Sequence, residues 1–264
     1  MLPRVGLLAD RPLGFVVRNA LRPDNYRSLA RAMRRYEHPA DALPRYFRGS
    51  GEYPAEIGVR TPMGIVRPRV WTHHDVITVN EIFCRLDYET GPGTRVVVDI
   101  GSNIGISALY FLTRGPDVRC VLFEPVPTNV ERLRENLAGF EGRWELHEAA
   151  VADRAGTLPF VTEPTGRYGG LDRGGTTADT IEVKVEHVND ALEGVLAEHD
   201  RIDVLKLDTE GSEAATVRAI RPDLLERIGR IYCEDETNEI SLAGWHRHTA
   251  CDTTRLDNPR QSPA

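Results

Sequence analysis

The sequence has few of the features that mark several large protein classes. Its 264 residues include only four cysteines, Cys84, Cys120, Cys233 and Cys251, and no C-x-x-C pair, so neither a zinc knuckle nor a dense disulfide framework is indicated. We expect all four thiols to be reduced, and Cys120 and Cys233 to be buried and inert because they lie within apolar runs. No apolar run approaches the roughly 18 residues of a membrane-spanning helix. The opening MLPRVGLLADRPLGF is a poor secretory signal because charged residues interrupt it, so we expect a cytoplasmic protein.

Lysine is almost absent, since 31 of the 33 basic residues are Arg, and the charge is unevenly spread. Residues 1–60 hold 11 Arg against 6 Asp or Glu, whereas the whole chain has a net charge of −7. An acidic main body argues against a nucleic-acid partner, because phosphate binding needs a basic face over the working site. We interpret the basic N-terminal part as a solvated helix face, with nucleic-acid binding or contact to an acidic partner as the alternatives.

The first 74 residues predict a helical and irregular extension, because proline recurs there between short helical patterns. Leu29, Met33 and Tyr36 have the spacing of one helical face. A second amphipathic helix is predicted over residues 75–88, with five apolar residues on its inner face. Those five are Val76, Val79, Ile82, Phe83 and Leu86.

From Arg95 onward, strand-like runs alternate with helical patterns, which predicts an α/β, Rossmann-like, doubly wound and mostly parallel sheet. The predicted strands are RVVVDI (95–100), RCVLFEP (119–125), WELHEAAV (144–151), TIEVKVEHV, IDVLKLD (202–208) and RIYCEDE (230–236). Helices are predicted near 104–113, from Thr128 or Asn129, and over 213–220, and a Gly-rich loop over 162–177. We therefore expect a cofactor-binding domain over 75–240 and a tail over 241–264 that forms a short cap or a frayed end.

The first predicted strand ends in a glycine-containing turn, Asp99-Ile100-Gly101-Ser102-Asn103-Ile104-Gly105. Ligands of open parallel sheets bind at the carboxyl ends of the strands, so the turn is placed to contact one. A dinucleotide fingerprint would read G-x-G-x-x-G and leave room for a pyrophosphate. This turn reads G-x-N-x-G, with Ser102 and Asn103 in that space, which favours a cofactor without phosphate over a nicotinamide dinucleotide.

The second predicted strand ends in Glu124-Pro125, 23 residues after Gly101, where a carboxylate can accept hydrogen bonds from both hydroxyls of a ribose. S-adenosylmethionine (SAM) has a ribose, an adenine and an amino-acid end, and it lacks phosphate. We expect Asp99 and the turn, through Gly101, Ser102, Asn103 and Gly105, to hold its methionine end, and Glu124 with Pro125 its ribose. The adenine edge is then expected at Glu148, Ala149 and Ala150.

The run IDVLKLD is followed by T-E-G-S-E, which places Asp208 and Glu210 at the same predicted edge of the sheet. Either carboxylate could take the proton of an acceptor hydroxyl. Two alternatives stay open: the pair could hold a divalent cation, which we do not favour, or Asp208 could cap the next helix with Glu210 and Glu213 in its first turn. Among other titratable groups, we expect His187 to be packed or exposed, and Asp75 to cap a helix beside His73 and His74 instead of binding a metal. One of the residues 234–236 could meet the substrate, and Trp245, His246 and His248 could line a pocket or pack the tail.

The segments VVVDIGSNIGISALYF, VLFEPVPTNVERLRENL, EAAVADRAGT and above all IDVLKLDTEGSE resemble successive motifs of the FkbM family of SAM-dependent methyltransferases. The resemblance covers about residues 75–236 and implies SAM as cofactor, O-methylation as activity and a helix over 75–88 that folds over the cofactor. Ser102 stands where alanine is more usual. We expect a hydroxyl of a sugar or secondary metabolite as acceptor, with N- or carboxyl-methylation, an oxidoreductase and a non-catalytic SAM-binding protein as alternatives. The sequence predicts neither the individual acceptor nor an oligomeric state.

Overall fold

The computed structural model describes residues 23–161, 170–171, 180–209, 211–235, 239–250 and 253–261. The chain forms two compact units, Met1–Asp87 and Tyr88–Ala264. The helix predicted over residues 75–88 therefore lies in the first unit up to Asp87. Within the described residues, no helix is long and apolar enough to cross a membrane.

The first unit contains short helices and two pairs of very short antiparallel strands. Its elements are α1 (Pro23–Arg35), α2 (Pro39–Arg48), β1 (Ala55–Glu56), β2 (Val59–Thr61), β3 (Gly64–Val66), β4 (Arg69–Val70), α3 (His73–Asn80) and a π-helical turn (Glu81–Arg85). Strand β1 pairs with β4, and β2 pairs with β3.

The apolar face predicted for the helix around Leu29 is only partly correct. Tyr36 is fully buried, and its hydroxyl accepts a hydrogen bond from Asn80 Nδ2 at 3.2 Å. Leu29 and Met33, however, are 40% and 54% exposed. The buried face of α1 instead includes Ala32. Ala32 lies one helical turn before Tyr36, the buried residue that follows the helix, so both are on the same side.

The helix predicted over 75–88 is shorter than expected: α3 and the π-helical turn end before Leu86, which has a φ of 68° and is only partly buried. The cap of α3 is Thr72 and not Asp75. The Thr72 hydroxyl accepts from the Asp75 amide, and Asp75 Oδ2 accepts from the Thr72 amide at 2.9 Å, which completes a capping box. Val76, Val79 and the other predicted apolar positions up to Phe83 are buried. Asp75 thus stabilises the start of the helix from its third position.

The second unit is an α/β fold. Its strands are β5 (Val96–Ile100), β6 (Arg119–Phe123), β7 (Trp144–His147), β8 (Ala150–Ala152), β9 (Gly156–Val161), β10 (Gly170–Leu171), β11 (Thr180–His187), β12 (Ile202–Leu207), β13 (Ile228–Glu234), β14 (His246–Ala250) and β15 (Thr253–Asp257). Its helices are α4 (Ile106–Leu112), α5 (Pro127–Asn136), α6 (Val188–Glu198), α7 (Glu213–Ala219) and α8 (Pro222–Leu225).

Seven of these strands form the main sheet in the order β14-β15-β13-β12-β5-β6-β7. The five strands from β13 to β7 are parallel, and β15 is antiparallel to both of its neighbours. This arrangement confirms the predicted Rossmann-like, mostly parallel sheet. The strand order reverses between β5 and β12, and the crevice at such a switch point is where open α/β sheets bind ligands.

Both faces of the sheet are covered. One face packs Val98, Ile100, Leu205 and other alternate strand residues against α6, α7 and α8. On the other side, every residue of α4 is buried, as expected for a helix without a polar face. Burial on both faces explains why most residues of β5 and β12 are apolar.

The predicted strand over 144–151 is instead two strands that belong to different sheets. Strand β7 joins the main sheet, whereas β8 joins a smaller sheet in the order β10-β9-β11-β8. The chain changes direction at Glu148 and Ala149, where the Ala149 amide donates to the His147 carbonyl at 2.9 Å. An apolar run cannot reveal such a break, because both halves have strand-like composition.

Three further details differ from the sequence predictions. Helix α5 begins at Pro127, with Val126 as N-cap, and not at Thr128 or Asn129, because proline has the backbone geometry of a first helical position. The tail contributes β14 and β15 to the main sheet and is not a frayed end. Most of the predicted Gly-rich loop lies outside the described residues, but Gly170–Leu171 forms strand β10 and pairs with β9.

Candidate active site

The turn after β5 is held from both sides by neighbouring strands. The amides of Gly101 and Ser102 both donate to the Phe123 carbonyl at 3.0 Å, and the Asp208 amide donates to the Ile100 carbonyl at 3.1 Å. Asn103 also belongs to this turn and adopts a φ of 47°. The turn therefore lies at the switch point, between the ends of β6 and β12.

Gly101 is required in this turn for two reasons. Its φ of 78° is in the left-handed region, and a Cβ at this position would overlap the carbonyl oxygen of Asp208. The glycine thus allows the turn after β5 to touch the backbone that follows β12. The sequence prediction placed the turn and Asp208 at the same edge of the sheet, and the structure brings them into direct contact.

Glu124, which follows β6, is buried and organises the same region. Its Oε2 accepts from the Asn103 amide at 2.8 Å, and its Oε1 accepts from the Val126 amide at 3.0 Å and from Asn129 Nδ2 at 3.3 Å. Burial raises the pKa of Glu124 to about 7, and these hydrogen bonds oppose the increase. One carboxylate therefore links the β5 turn to the start of α5. Pro125, the next residue, is partly exposed beside it.

The residues predicted for the adenine edge lie just after β7, the next parallel strand. Ala149 and Ala150 are buried, whereas Glu148 is exposed and forms an ion pair with Arg134 of α5 at 2.6 Å. The Glu124 amide donates to the His147 carbonyl at 3.1 Å, which places the end of β7 next to Glu124. Contact of these residues with adenine remains a prediction.

Asp208 lies directly after β12, and its side chain is 29% exposed. It does not cap α7, since the N-cap of that helix is Ser212. The loop is held instead by Glu213, whose carboxylate accepts from the amides of Thr209 and Gly211 at 2.7 and 2.8 Å. The alternative in which Asp208 caps the helix is therefore wrong, because Glu213 binds the amides of this loop. Glu210, the other predicted base, lies outside the described residues.

Asp99 is fully buried, and both of its carboxylate oxygens have partners inside the protein. Oδ1 accepts from Lys206 Nζ at 2.9 Å, and Oδ2 accepts from the Ser107 hydroxyl at 2.5 Å. Burial raises the pKa of Asp99, and Lys206 and Ser107 oppose this increase. Ser102 donates to the Asp99 carbonyl at 2.7 Å. Contact of Asp99 with the methionine end of SAM stays a prediction.

Sequence reasoning missed Lys206. Its ammonium also donates to the Gly101 carbonyl at 2.9 Å and lies 3.3 Å from Asp208 Oδ2. A signal was present, because a lysine inside the apolar strand IDVLKLD is unusual unless it is paired. The partner could not be found in this way, since Asp99 is 107 residues away in the sequence.

Other candidate residues have structural roles. The His187 ring accepts from the Asn189 amide at 3.1 Å and caps α6, in line with the expectation of a packed or exposed histidine. Asp235 is buried and accepts from the amides of Glu239 and Ile240 and from Arg247. Glu236, one of the three acidic residues considered for substrate contact, lies outside the described residues.

The tail residues pack or face solvent. Trp245 packs partly against the core, and His246 and His248 are exposed in β14. Cys84, Cys120 and Cys233 are free and buried, and Cys251 lies outside the described residues. No group of three His, Cys, Asp or Glu side chains is arranged for a metal ion within the part of the chain that the structure describes.

The donor set at this edge fits SAM on chemical grounds. The β5 turn approaches Asp208 without a side chain at Gly101, and a buried carboxylate follows β6 at the position where a ribose would be bound. Asp99 and Asp208 with Lys206 carry one net negative charge, which is favourable for a sulfonium cation.

A comparison with known families decides the class. The family model described as Methyltransferase FkbM domain matches residues 99–245, which include the β5 turn, Glu124 and Asp208. The chain belongs to the FkbM family of SAM-dependent methyltransferases. This membership decides against the nicotinamide-dependent oxidoreductase that the sequence left as an alternative.

Relatives of the FkbM family support this assignment. The chain is 26% identical over 187 residues to Methyltransferase sdnD of Sordaria araneosa, covering 58% of this chain and 72% of that protein. It is 27% identical over 187 residues to 31-O-demethyl-FK506 methyltransferase FkbM of Streptomyces tacrolimicus, covering 60% and 71%. A shorter match, 40% identical over 65 residues, relates it to 2-O-methyltransferase NoeI of Sinorhizobium fredii and covers 25% and 26%.

Among solved structures, Methyltransferase FkbM from Methylobacillus flagellatus KT is similar to 92% of this chain, with 17% identity and a TM-score of 0.44. The match covers 60% of that chain.

Proposed function

We propose that this FkbM-family protein transfers the methyl group of SAM to a hydroxyl of a sugar or secondary metabolite. The observation that carries the proposal is the contact between the β5 turn and Asp208, which puts a partly exposed carboxylate beside the candidate cofactor cradle. The printed names of two relatives, a 31-O-demethyl-FK506 methyltransferase and a 2-O-methyltransferase, support oxygen as the accepting atom.

The cradle consists of backbone and carboxylate groups with separate tasks. The turn from Gly101 to Gly105 would hold the amino-acid end of SAM, and Glu124 with Pro125 would hold the ribose through its hydroxyls. Ala149 and Ala150 would border the adenine. When bound, SAM supplies an electrophilic methyl group on a sulfonium.

Asp208 would act as the general base. One of its oxygens, Oδ2, faces Lys206. The other oxygen, Oδ1, has no hydrogen-bond partner among the residues that the structure describes. An ionised carboxylate held in this way can accept the hydroxyl proton of an acceptor as the new oxygen–carbon bond forms. Correct alignment of the hydroxyl would contribute most of the remaining rate increase.

An amine acceptor would need less help from a base, so nitrogen methylation is the competing activity. The dependence of activity on Asp208 distinguishes the two. A hydroxyl needs to lose its proton during transfer, whereas a neutral amine can attack first and lose its proton afterwards.

The test is incubation of the purified protein with methyl-labelled SAM and a panel of acceptors that contains sugars, polyketide alcohols, amines and carboxylic acids. We expect label in the alcohols only, and Asp208→Asn should abolish most of it. Label confined to amines or acids would replace the proposal by the corresponding activity. SAM binding without transfer to any acceptor class would favour a non-catalytic SAM-binding protein.

A further inference from the structure

Lys206 lies in the interior of the FkbM domain at a point where three parts of the site meet. It is the fifth residue of β12, directly beside Asp99 of β5 in the parallel register, and its side chain is only 2% exposed. Its ammonium donates hydrogen bonds to Asp99 Oδ1 and to the Gly101 carbonyl, both at 2.9 Å, and forms an ion pair with Asp208 Oδ2 at 3.3 Å. One cation thus joins β5, the β5 turn and the candidate base.

The composition of the chain makes this choice of side chain informative. Only Lys184 and Lys206 are lysines among 33 basic residues, and Lys184 is an exposed partner of Glu186. A planar guanidinium presents its protons in a fork, whereas an ammonium is a compact point charge with three donors in three directions. The converging acceptors around Lys206 fit the ammonium.

The charge state of Lys206 excludes a role as base. Burial by itself would lower the pKa of this lysine, but the carboxylates of Asp99 and Asp208 raise it above its usual range overall. The ammonium also lies 5.5 Å from the centre of the Tyr88 ring, whose face favours a cation. Lys206 is therefore protonated at neutral pH, with hydrogen bonds to Asp99 and the Gly101 carbonyl and an ion pair with Asp208.

We infer that Lys206 is a positioning residue, which holds the Gly101 carbonyl of the cofactor turn and the carboxylate of Asp208 in fixed relation so that base and methyl donor are aligned. The inference rests on the proposed function for the role of Asp208. Its structural part, a coupling between turn and base through one ammonium, holds independently of the acceptor.

The rarity of lysine permits a direct measurement. Protein labelled with ¹⁵N at the lysine side chains should give one slowly exchanging ammonium signal, from Lys206, since the Lys184 ammonium is exposed to water. Lys184→Met should keep this signal and Lys206→Met should remove it. We expect the signal to shift when S-adenosylhomocysteine is added and to shift or broaden in Asp208→Asn. A signal unmoved by both changes would overturn the coupling, and this measurement needs neither an acceptor nor a folded Lys206 variant.

Kinetics of the variants tests the consequence for catalysis. With an acceptor found as described above, Lys206→Met should lower kcat at least tenfold and weaken S-adenosylhomocysteine binding less than that, while Lys184→Met, the matched control, stays within twofold of wild type. Lys206→Arg should not restore kcat. If Lys206 acts through Asp208, the double variant Lys206→Met/Asp208→Asn should be no slower than Asp208→Asn alone.

Two outcomes separate the inference from the proposed function. Fully additive losses in the double variant, or a folded Lys206→Met with wild-type kcat, would overturn the positioning role and leave O-methylation intact. Conversely, failure to methylate any alcohol would rule out the proposed function. The response of the ammonium signal to Asp208→Asn would still decide whether Lys206 couples the turn to Asp208.

Discussion

Glu124 Oε2 accepts a hydrogen bond from the backbone amide of Asn103 at 2.8 Å, so the acid after one strand holds the turn after its neighbour. Asn103 has a positive φ of 47°, which is uncommon outside glycine, and the hydrogen bond stabilises that conformation. Replacement of Glu124 would therefore affect both the shape of the turn and the group expected to bind the ribose.

We predict that Glu124→Gln weakens binding of S-adenosylhomocysteine by about 10- to 100-fold, because a hydrogen bond to a charged group is worth roughly 1.5–3 kcal/mol. Isothermal titration calorimetry would measure the loss. Glu148→Gln is the matched control, since Glu148 is exposed and paired with Arg134 at the surface. Equal losses in the two variants would argue against a special role of Glu124.

Binding of S-adenosylhomocysteine should also depend on pH through Glu124. Burial raises the pKa of Glu124 to about 7, and hydroxyl donors of a ribose favour the ionised carboxylate. Affinity should thus increase with pH up to about 7 and fall up to tenfold per pH unit below it. Glu124→Gln should flatten this profile between pH 5.5 and 8.

The same raised pKa predicts the pH dependence of stability in the ligand-free protein. Above the ordinary pKa of a glutamate, the unfolded state loses the proton of Glu124, whereas the folded state keeps it up to about pH 7. The contribution of Glu124 to the free energy of unfolding therefore decreases as pH rises toward about 7. Urea denaturation of wild type and Glu124→Gln at pH 5.5 and 7.5 would measure the difference. If the free energy of unfolding changed equally between these two pH values in wild type and in Glu124→Gln, this assignment would be contradicted.

Gly101→Ala should destabilise the fold and abolish ligand binding. A left-handed conformation costs a non-glycine residue roughly 1–3 kcal/mol, and the new Cβ would also push against the Asp208 carbonyl. Gly139→Ala separates the two effects, because Gly139 also has a positive φ, of 91°, but nothing lies within 4 Å of its Cβ position. We expect both variants to lower the free energy of unfolding in urea and only Gly101→Ala to lose S-adenosylhomocysteine binding.

Asp208→Asn should lower kcat by about 10²- to 10⁴-fold, the usual contribution of a general base, and change SAM affinity far less. The exposed Asp153 provides a control of the same chemistry, Asp153→Asn, which should leave both quantities unchanged. Initial rates with labelled SAM and equilibrium binding give the two values. Full activity of Asp208→Asn would remove it from the catalytic residues.

Excess chelator should leave the rate of methyl transfer unchanged. The Lys206 ammonium lies 2.9 Å from Asp99 and 3.3 Å from Asp208, so both carboxylates already have a cationic partner. Within the described residues, no third His, Cys, Asp or Glu side chain completes a metal site with them. Activity assays with and without EDTA, followed by addition of Mg²⁺ or Mn²⁺, would measure this. Loss on chelation with recovery on Mg²⁺ would establish metal dependence.

Much of the candidate site could be predicted because its signals are local. Gly101 and Glu124 each follow directly after an apolar run, and the parallel sheet that the alternation predicts brings such positions to one edge. The exposure of Leu29 and Met33 was missed for the opposite reason, since helical spacing shows that residues share a face but not which stripe the rest of the chain covers.

The sequence by itself determined the alternation of strands and helices, the glycine turn that favours a cofactor without phosphate and the acid at the end of the second strand, because each depends on residues a few positions apart. Only the tertiary structure decided that Lys206 pairs with Asp99, that Glu213 holds the loop after β12 and that β14 and β15 extend the sheet. These features depend on strand register and on contacts between distant segments. No local pattern encodes them, since the free energy that selects a register comes from the packing of the whole sheet.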